Sequence, residues 1–148
     1  MNPIFSLLNT TNRWFVLVCV VMATVLGMLW YGDFLFGNKF ATWMKFPEDM
    51  MKNKNSPEAK KAMMGSLIRE IISRALYFMG LGQALMIGGW EQLSHGIVFG
   101  IIVWLIFVFS TQLSQTTWSN VDQRVLWITA GNMLTQTLLA VLIWYMVF

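Results

Sequence analysis

Charge is the scarcest feature of this sequence of 148 residues. Only 11% of the residues are charged and 57% are hydrophobic, whereas an ordinary soluble domain is about 25% charged. This balance excludes a disordered chain, a basic nucleic-acid-binding domain and an ordinary soluble enzyme. The composition therefore predicts an integral membrane protein.

Reactive side chains are also few. The chain has one cysteine, Cys19, and one histidine, His95, so it cannot form an internal disulfide or a histidine-rich metal site. We find no nucleotide-binding loop, no nucleophile–base pair and no cluster with metal-ligand spacing. We therefore expect no enzymatic activity, no cofactor and no metal centre.

Four apolar segments dominate what is present. A helix needs roughly 20 apolar residues to cross the hydrocarbon core, and such segments lie at about 14–36, 71–90, 96–113 and 125–148. They predict an all-α integral membrane protein, in which one domain over 1–148 forms a bundle of four transmembrane helices.

The basic residues predict the orientation of these spans. Eight of the ten Lys and Arg residues fall in the connections that follow the first and third spans. The positive-inside rule then makes the connection 37–70 cytoplasmic and places both termini outside. Aromatic residues among the lysines near its start predict an amphipathic segment in the membrane interface. The eight residues are Lys39, Lys45, Lys52, Lys54, Lys60, Lys61, Arg69 and Arg124.

Small residues recur at four-residue spacing in three of the spans. Such rows allow helix backbones to approach closely in lipid. One interpretation is packing within the four-helix bundle, and the other is an interface between subunits. The residues are Ala23 and Gly27 in the first span, Gly80, Ala84 and Gly88 in the second, and Gly96 and Gly100 in the third.

Polar residues cluster where the third span ends and the fourth begins, in the half of the membrane near the cytoplasm. They predict either hydrogen bonds between helices or a polar cavity for a solute or lipid head group. Asp33 and Arg74 fall near the same boundary, close enough to form an ion pair if their helices are neighbours. The alternatives are that Arg74 extends to the lipid head groups or binds a substrate, and we expect the ion pair or the head-group contact. The polar residues are Gln112, Ser114, Thr129, Asn132 and Gln136.

Several short motifs carry a family resemblance. The first span ends in Leu26-Gly27-Met28-Leu29-Trp30-Tyr31-Gly32, followed by Leu35-Phe36-Gly37 and Trp43-Met44, and the fourth contains Ile128-Thr129-Ala130-Gly131-Asn132-Met133-Leu134. These stretches resemble a bacterial membrane family called domain of unknown function 1761. Thr129, Asn132 and Met133 stand where that family has Asn, Tyr and His, so any role of the histidine is missing here. The resemblance implies a small four-helix protein of the bacterial inner membrane and brings no established activity.

Two hypotheses about function follow from the sequence. In the first, a non-catalytic protein acts in the lipid bilayer by helix–helix association, as a homo-oligomer or as an accessory subunit of a larger membrane complex. In the second, the polar residues line the pathway of a small-solute transporter or channel. Neither hypothesis involves nucleic acid.

Overall fold

The computed structural model describes residues 10–45, 56–89, 91–119 and 121–147, and these residues form helices and turns without a strand. Four of the helices are long and apolar enough to cross a membrane, which confirms the all-α class. The helices are α1 (Thr10–Trp30), α2 (Gly37–Trp43), α3 (Pro57–Gly88), α4 (Leu93–Trp118) and α5 (Arg124–Val147). All except α2 are candidate spans.

The first long helix ends at Trp30, before the predicted boundary at 36. The chain turns there, and the Gly37 N–H donates to the Gly32 carbonyl oxygen at 3.0 Å. A Cβ atom on Gly37 would overlap the carbonyl oxygen of Tyr31, so the turn requires glycine at this position. The turn leads directly into α2.

The helix that contains the second predicted span is longer than that span. It begins at Pro57, where the Ser-Pro-Glu pattern favours a helix start, and it continues for 32 residues through Gly65 to Gly88. The predicted amphipathic segment is described only in part, because residues 46–55 lie outside the described residues.

The helices α1 and α5 occupy the middle of the arrangement. α3 packs against α1, α4 packs against α5, and α3 and α4 make little contact with each other although a short turn joins them. The buried core lies in the half of the molecule near that turn. It consists of Phe15, Cys19, Ala23, Phe78, Leu81, Leu85, Ala140 and Val141.

Two glycines bring α4 close to α5. A Cβ atom on Gly96 would overlap the Tyr145 ring, and one on Gly100 would lie 3.0 Å from Cγ2 of Val141. Both glycines are buried. Their small size therefore permits the close contact between these two helices.

The other predicted packing residues have different surroundings. Ala23 is buried in the core, at 3% exposure. A Cβ atom on Gly27 or Gly80 would meet nothing within 4 Å, Ala84 is half-buried, and Gly88 is exposed. The row on α3 thus lies largely on the outside of the chain.

Two tryptophan side chains fix the helices on either side of α5. Trp30 Nε1, at the end of α1, donates to the Ile128 carbonyl oxygen at 3.1 Å. Trp104 Nε1 donates to the Ala130 carbonyl oxygen at 2.9 Å. Trp104 begins a π-helical stretch within α4 that extends to Phe109, a feature that often accompanies functional sites.

Candidate functional site

A partly open cavity of about 490 Å³ lies at the α2 end of the helices, and all five helices contribute to its walls. Its volume falls in the range of small-molecule sites, roughly 300–1,000 Å³. We call it the Arg74 cavity. Its lining residues are Ala23, Thr24, Gly27, Met28, Tyr31, Phe40, Leu67, Glu70, Ile71, Arg74, Gln112, Thr129, Met133 and Gln136.

Arg74 is the central charged residue of this cavity, and only 14% of its side chain is exposed. Its Nε donates to Glu70 Oε1 at 2.6 Å, and its Nη2 lies 2.5 Å from the same oxygen. Its Nη1 donates to Gln136 Oε1 at 2.5 Å and also contacts the Met133 sulfur. Because Glu70 balances the guanidinium, the pair brings no net charge to the cavity.

The hydrogen bonds continue from Arg74 into α5. Gln136 accepts from Arg74 with Oε1 and donates from Nε2 to Asn132 Oδ1 at 2.5 Å. Both amide residues are 1% exposed. On its other side Asn132 hydrogen-bonds the Tyr31 side chain, which lines the cavity.

A buried amide oxygen on the opposite wall is unpartnered. Gln112 Oε1, which α4 contributes, is buried without a hydrogen-bond partner. A buried polar atom without a partner costs about 1–3 kcal/mol. The site therefore offers one unused acceptor, on α4.

A separate hydrogen-bonded pair closes the cavity toward the core. The Tyr77 hydroxyl lies 2.7 Å from Thr137 Oγ1, and Thr137 donates its single hydroxyl hydrogen to the Met133 carbonyl oxygen at 2.7 Å. Tyr77 must therefore be the donor in the first bond. This bond joins α3 to α5 at the boundary between the cavity and the apolar core.

The structure brings most of the predicted polar residues together. Gln112, Thr129 and Gln136 line the cavity, and Asn132 is buried next to it through its bond to Gln136. Ser114 is exposed and does not line the cavity, so it leaves the predicted set. It lies two residues beyond Gln112, which places it on a different side of α4.

Arg74 has a different ion-pair partner from the one predicted. We expected Asp33, but the structure pairs Arg74 with Glu70, and Asp33 is exposed in the turn after α1. The physical reason is that α1 ends at Trp30, so Asp33 stands in an exposed turn and not on the helix. The four-residue spacing of Glu70 and Arg74 on one helix was the signal that could have identified the pair.

A second cavity, of about 390 Å³, is lined by residues of α2 together with the adjoining ends of α1 and α5. The guanidinium carbon of Arg124 lies 5.4 Å from the centre of the Trp43 ring, within the range of a cation–π contact. We call this second cavity the tryptophan cavity. Its lining residues are Trp30, Phe36, Lys39, Trp43, Arg124, Trp127 and Ile128.

The fold and the two cavities define a class of protein with four long apolar helices and a polar cavity at one end of them. Residues 14–145 match the family described as a protein of unknown function (DUF1761), and the chain belongs to this family. No curated protein and no solved structure matches the chain.

Proposed function

We propose that this protein spans a membrane and binds a small polar solute in the Arg74 cavity. The outward faces of the long helices support the membrane location, since they display apolar side chains such as Val21 (56% exposed), Leu76 (60%) and Ile106 (55%). Soluble monomers rarely expose apolar surface on this scale. In a lipid bilayer these apolar faces would contact the acyl chains.

The proposed orientation puts the α2 end in the cytoplasm of a bacterium, with the protein in the inner membrane. In the described part of the chain, Lys39, Lys45, Lys60, Lys61 and Arg124 all lie in α2, the turns or the helix ends on that side. Basic residues accumulate on the cytoplasmic side of membrane proteins. The Arg74 cavity would then open toward the cytoplasm.

The observation that carries the proposal is the buried charged pair of Arg74 and Glu70 in one cavity with the unpartnered Gln112 Oε1. An ionisable residue within a span is expensive and commonly marks a functional site. Glu70 cancels the charge of Arg74, which favours a neutral or zwitterionic solute. Such a solute would donate a hydrogen bond to Gln112 Oε1.

The proposed role is binding, without catalysis and without an open pore. The core between the cavity and the turn that joins α3 to α4 contains side chains that are at most 1% exposed. They are Phe15, Cys19, Phe78 and Val141. A solute in the cavity would therefore reach only one side of the membrane in this conformation. Transport would require the helices around these residues to separate.

The accessibility of single cysteines tests this proposal. In a Cys19→Ala background, we expect the Gln112→Cys and Thr129→Cys variants to react with a charged, membrane-impermeant methanethiosulfonate reagent. The reaction should occur only when the reagent is added on the α2 side of oriented vesicles. The matched control is Ala140→Cys, because Ala140 is 0% exposed in the core and should stay unreacted.

Two results would contradict the proposal. Protection of Thr129→Cys equal to that of Ala140→Cys would mean that water does not reach the cavity. Equal labelling of Thr129→Cys from both sides of the vesicle would mean that the cavity is part of an open pore.

Association with a second copy or with a larger membrane complex is a second proposal, and it rests on the outer face of α3. Leu76, Gly80 and Ile87 are exposed, Ala84 lies between them on the same face, and Gly80 has open space where a Cβ atom would stand. A small residue on a lipid-facing surface gives another helix room to approach. The partner would be another copy of this chain or an apolar helix of a larger complex.

The Gly80→Leu variant tests the association. We expect it to reduce the cross-linked dimer or larger species that the unmodified chain forms in mild detergent. Gly65→Leu is the matched control, because Gly65 is on the same helix and also has open space around it. A lone monomer before any substitution would refute the association.

A further inference from the structure

We propose that the tryptophan cavity binds the phosphate head group of an anionic phospholipid. The proposal rests on the membrane location argued above and is independent of what the Arg74 cavity binds. The site combines two cations, Lys39 and Arg124, with three indole side chains around a volume of about 390 Å³.

The charges of the site suit a single phosphodiester. Lys39 comes from α2, and Arg124 stands at the start of α5. Asp122 accepts a hydrogen bond from the Arg124 backbone N–H at 2.9 Å and has an oxygen 3.9 Å from Arg124 Nε. The Asp122 carboxylate offsets one of the two positive charges, so Lys39, Arg124 and Asp122 together carry a net charge of +1. A phosphodiester with one negative charge neutralises it.

Packing holds the walls of the site in place. The Trp30 indole is bonded to the Ile128 carbonyl oxygen at 3.1 Å, and its ring lies 5.2 Å from the Phe36 ring. The Trp43 ring lies 5.4 Å from the Arg124 guanidinium carbon. The guanidinium is therefore positioned before an anion arrives, which reduces the ordering required on binding.

A lipid explains the aromatic walls better than a soluble anion does. Indole side chains settle at the head-group level of a bilayer, and Trp127 leaves 67% of its surface exposed beside the site. Free phosphate would gain nothing from these apolar walls. A phospholipid would place its phosphate between Lys39 and Arg124 and its acyl chains along the apolar helices, and basic pockets on the cytoplasmic side of membrane helices do bind anionic head groups.

The experiment measures lipid retention by native mass spectrometry on the full chain purified in mild detergent. Dioleoyl phosphatidylglycerol, dioleoyl phosphatidylcholine and sodium phosphate are titrated separately. We expect the phosphatidylglycerol adduct to form at the lowest concentration. In the Lys39→Gln/Arg124→Gln variant, we expect its affinity to fall roughly 30-fold, since each cation near a head group contributes about a factor of five.

Two further variants separate the site from bulk charge and from misfolding. Lys60→Gln/Lys61→Gln removes the same charge from exposed positions at the start of α3 and should leave retention unchanged. Lys39→Arg/Arg124→Lys keeps both charges and should retain the lipid.

Three results would overturn the proposal. The first is equal retention of phosphatidylcholine and phosphatidylglycerol, and the second is an equal loss in the two glutamine variants. The third is binding of sodium phosphate at the same site without retention of the lipid. The cysteine labelling, and not the lipid measurement, would reveal a failure of the solute-binding proposal, because the lipid measurement does not involve Gln112 or Thr129. If the membrane location is wrong, alkaline carbonate will release the chain from membranes.

Discussion

The hydrogen bonds that connect Arg74, Gln136 and Asn132 give the sharpest quantitative test of the structure. The Gln136→Leu substitution removes the acceptor for Arg74 and the donor for Asn132 in one step. Leucine is close to glutamine in size, so the packing around this 1% exposed residue is largely kept. The change in stability then reports mainly the two lost hydrogen bonds.

Two scales bound the expected magnitude. Mutational series give about 1.5–3 kcal/mol for a hydrogen bond to a charged group and about 1 kcal/mol for a neutral one. Hydrogen bonds between membrane helices average about 0.6 kcal/mol and reach about 1.7 kcal/mol. Gln136 is buried and one of its two bonds is to a guanidinium, so we expect the upper part of the membrane range. Gln136→Leu should lower the free energy of unfolding by about 3 kcal/mol.

Reversible unfolding in mixed micelles of mild detergent and dodecyl sulfate, followed by circular dichroism, measures this loss. Thr135→Val is the matched control, because the Thr135 hydroxyl donates to the Gly131 carbonyl oxygen of its own helix. It should change the free energy of unfolding by less than about 0.5 kcal/mol, since such local bonds add little.

A double-mutant cycle decides whether Arg74 and Gln136 interact directly. We expect Arg74→Leu and Gln136→Leu together to destabilise the protein by at least about 1 kcal/mol less than the sum of the single effects. Independent sites add within about 0.3–0.5 kcal/mol. Additivity within that margin would refute the bond between these two side chains and with it the network that leads to Asn132.

Two further substitutions test the packing of α4 on α5. Gly96→Ala should destabilise the protein by about 1–3 kcal/mol, because the new methyl group overlaps the Tyr145 ring. A thermal unfolding curve equal to that of the unmodified chain would contradict this contact. Trp104→Phe should lower the free energy of unfolding by about 1 kcal/mol through loss of the indole bond to the Ala130 carbonyl oxygen. Chemical unfolding measures that loss, and a stabilised variant would show that the bond does not form.

The long helices and one polar face could be predicted from the sequence because both depend on local periodicity. Thr129 and Asn132 are three residues apart, and Asn132 and Gln136 are four apart, so any helix places them on one side. Gln112 on α4 lies opposite that side in the structure, as a wall of the same cavity. A run of apolar residues and a helical repeat were sufficient for these predictions.

The partner of Arg74 depended on where a helix stops, and apolar content did not reveal that point. The segment 14–36 is apolar nearly throughout, yet α1 ends at Trp30. The contact between Gly37 and the Tyr31 carbonyl oxygen decides the turn, because it requires a residue without a Cβ atom. Asp33 therefore lies in an exposed turn, and Arg74 pairs with Glu70 of its own helix.

The arrangement of the helices depended on contacts between distant parts of the sequence. α3 and α4 are adjacent in the chain, yet each packs mainly on a different central helix. Gly96 against Tyr145 is one contact that sets this arrangement, and it joins residues on two helices that the sequence alone does not pair. The spacing of the glycines indicated that another helix could pack closely against α4, but it did not indicate which helix that would be.

The different charges of the two cavities suit them to different ligands, although one short helix forms part of both. α2 contributes Phe40 to the Arg74 cavity and Lys39 to the tryptophan cavity. Within the Arg74 cavity the guanidinium is neutralised by a carboxylate of its own helix, so an anion would gain little there and would lose its hydration. In the tryptophan cavity one positive charge is left in excess. Its residues lie on α2 and at the adjoining ends of α1 and α5, where the cost of keeping a charge is lower than within a span. The unbalanced charge is therefore at the proposed membrane surface, where anionic head groups are found. The neutralised pair of Arg74 and Glu70 is deeper, where entry costs a neutral solute less desolvation free energy than it costs an ion.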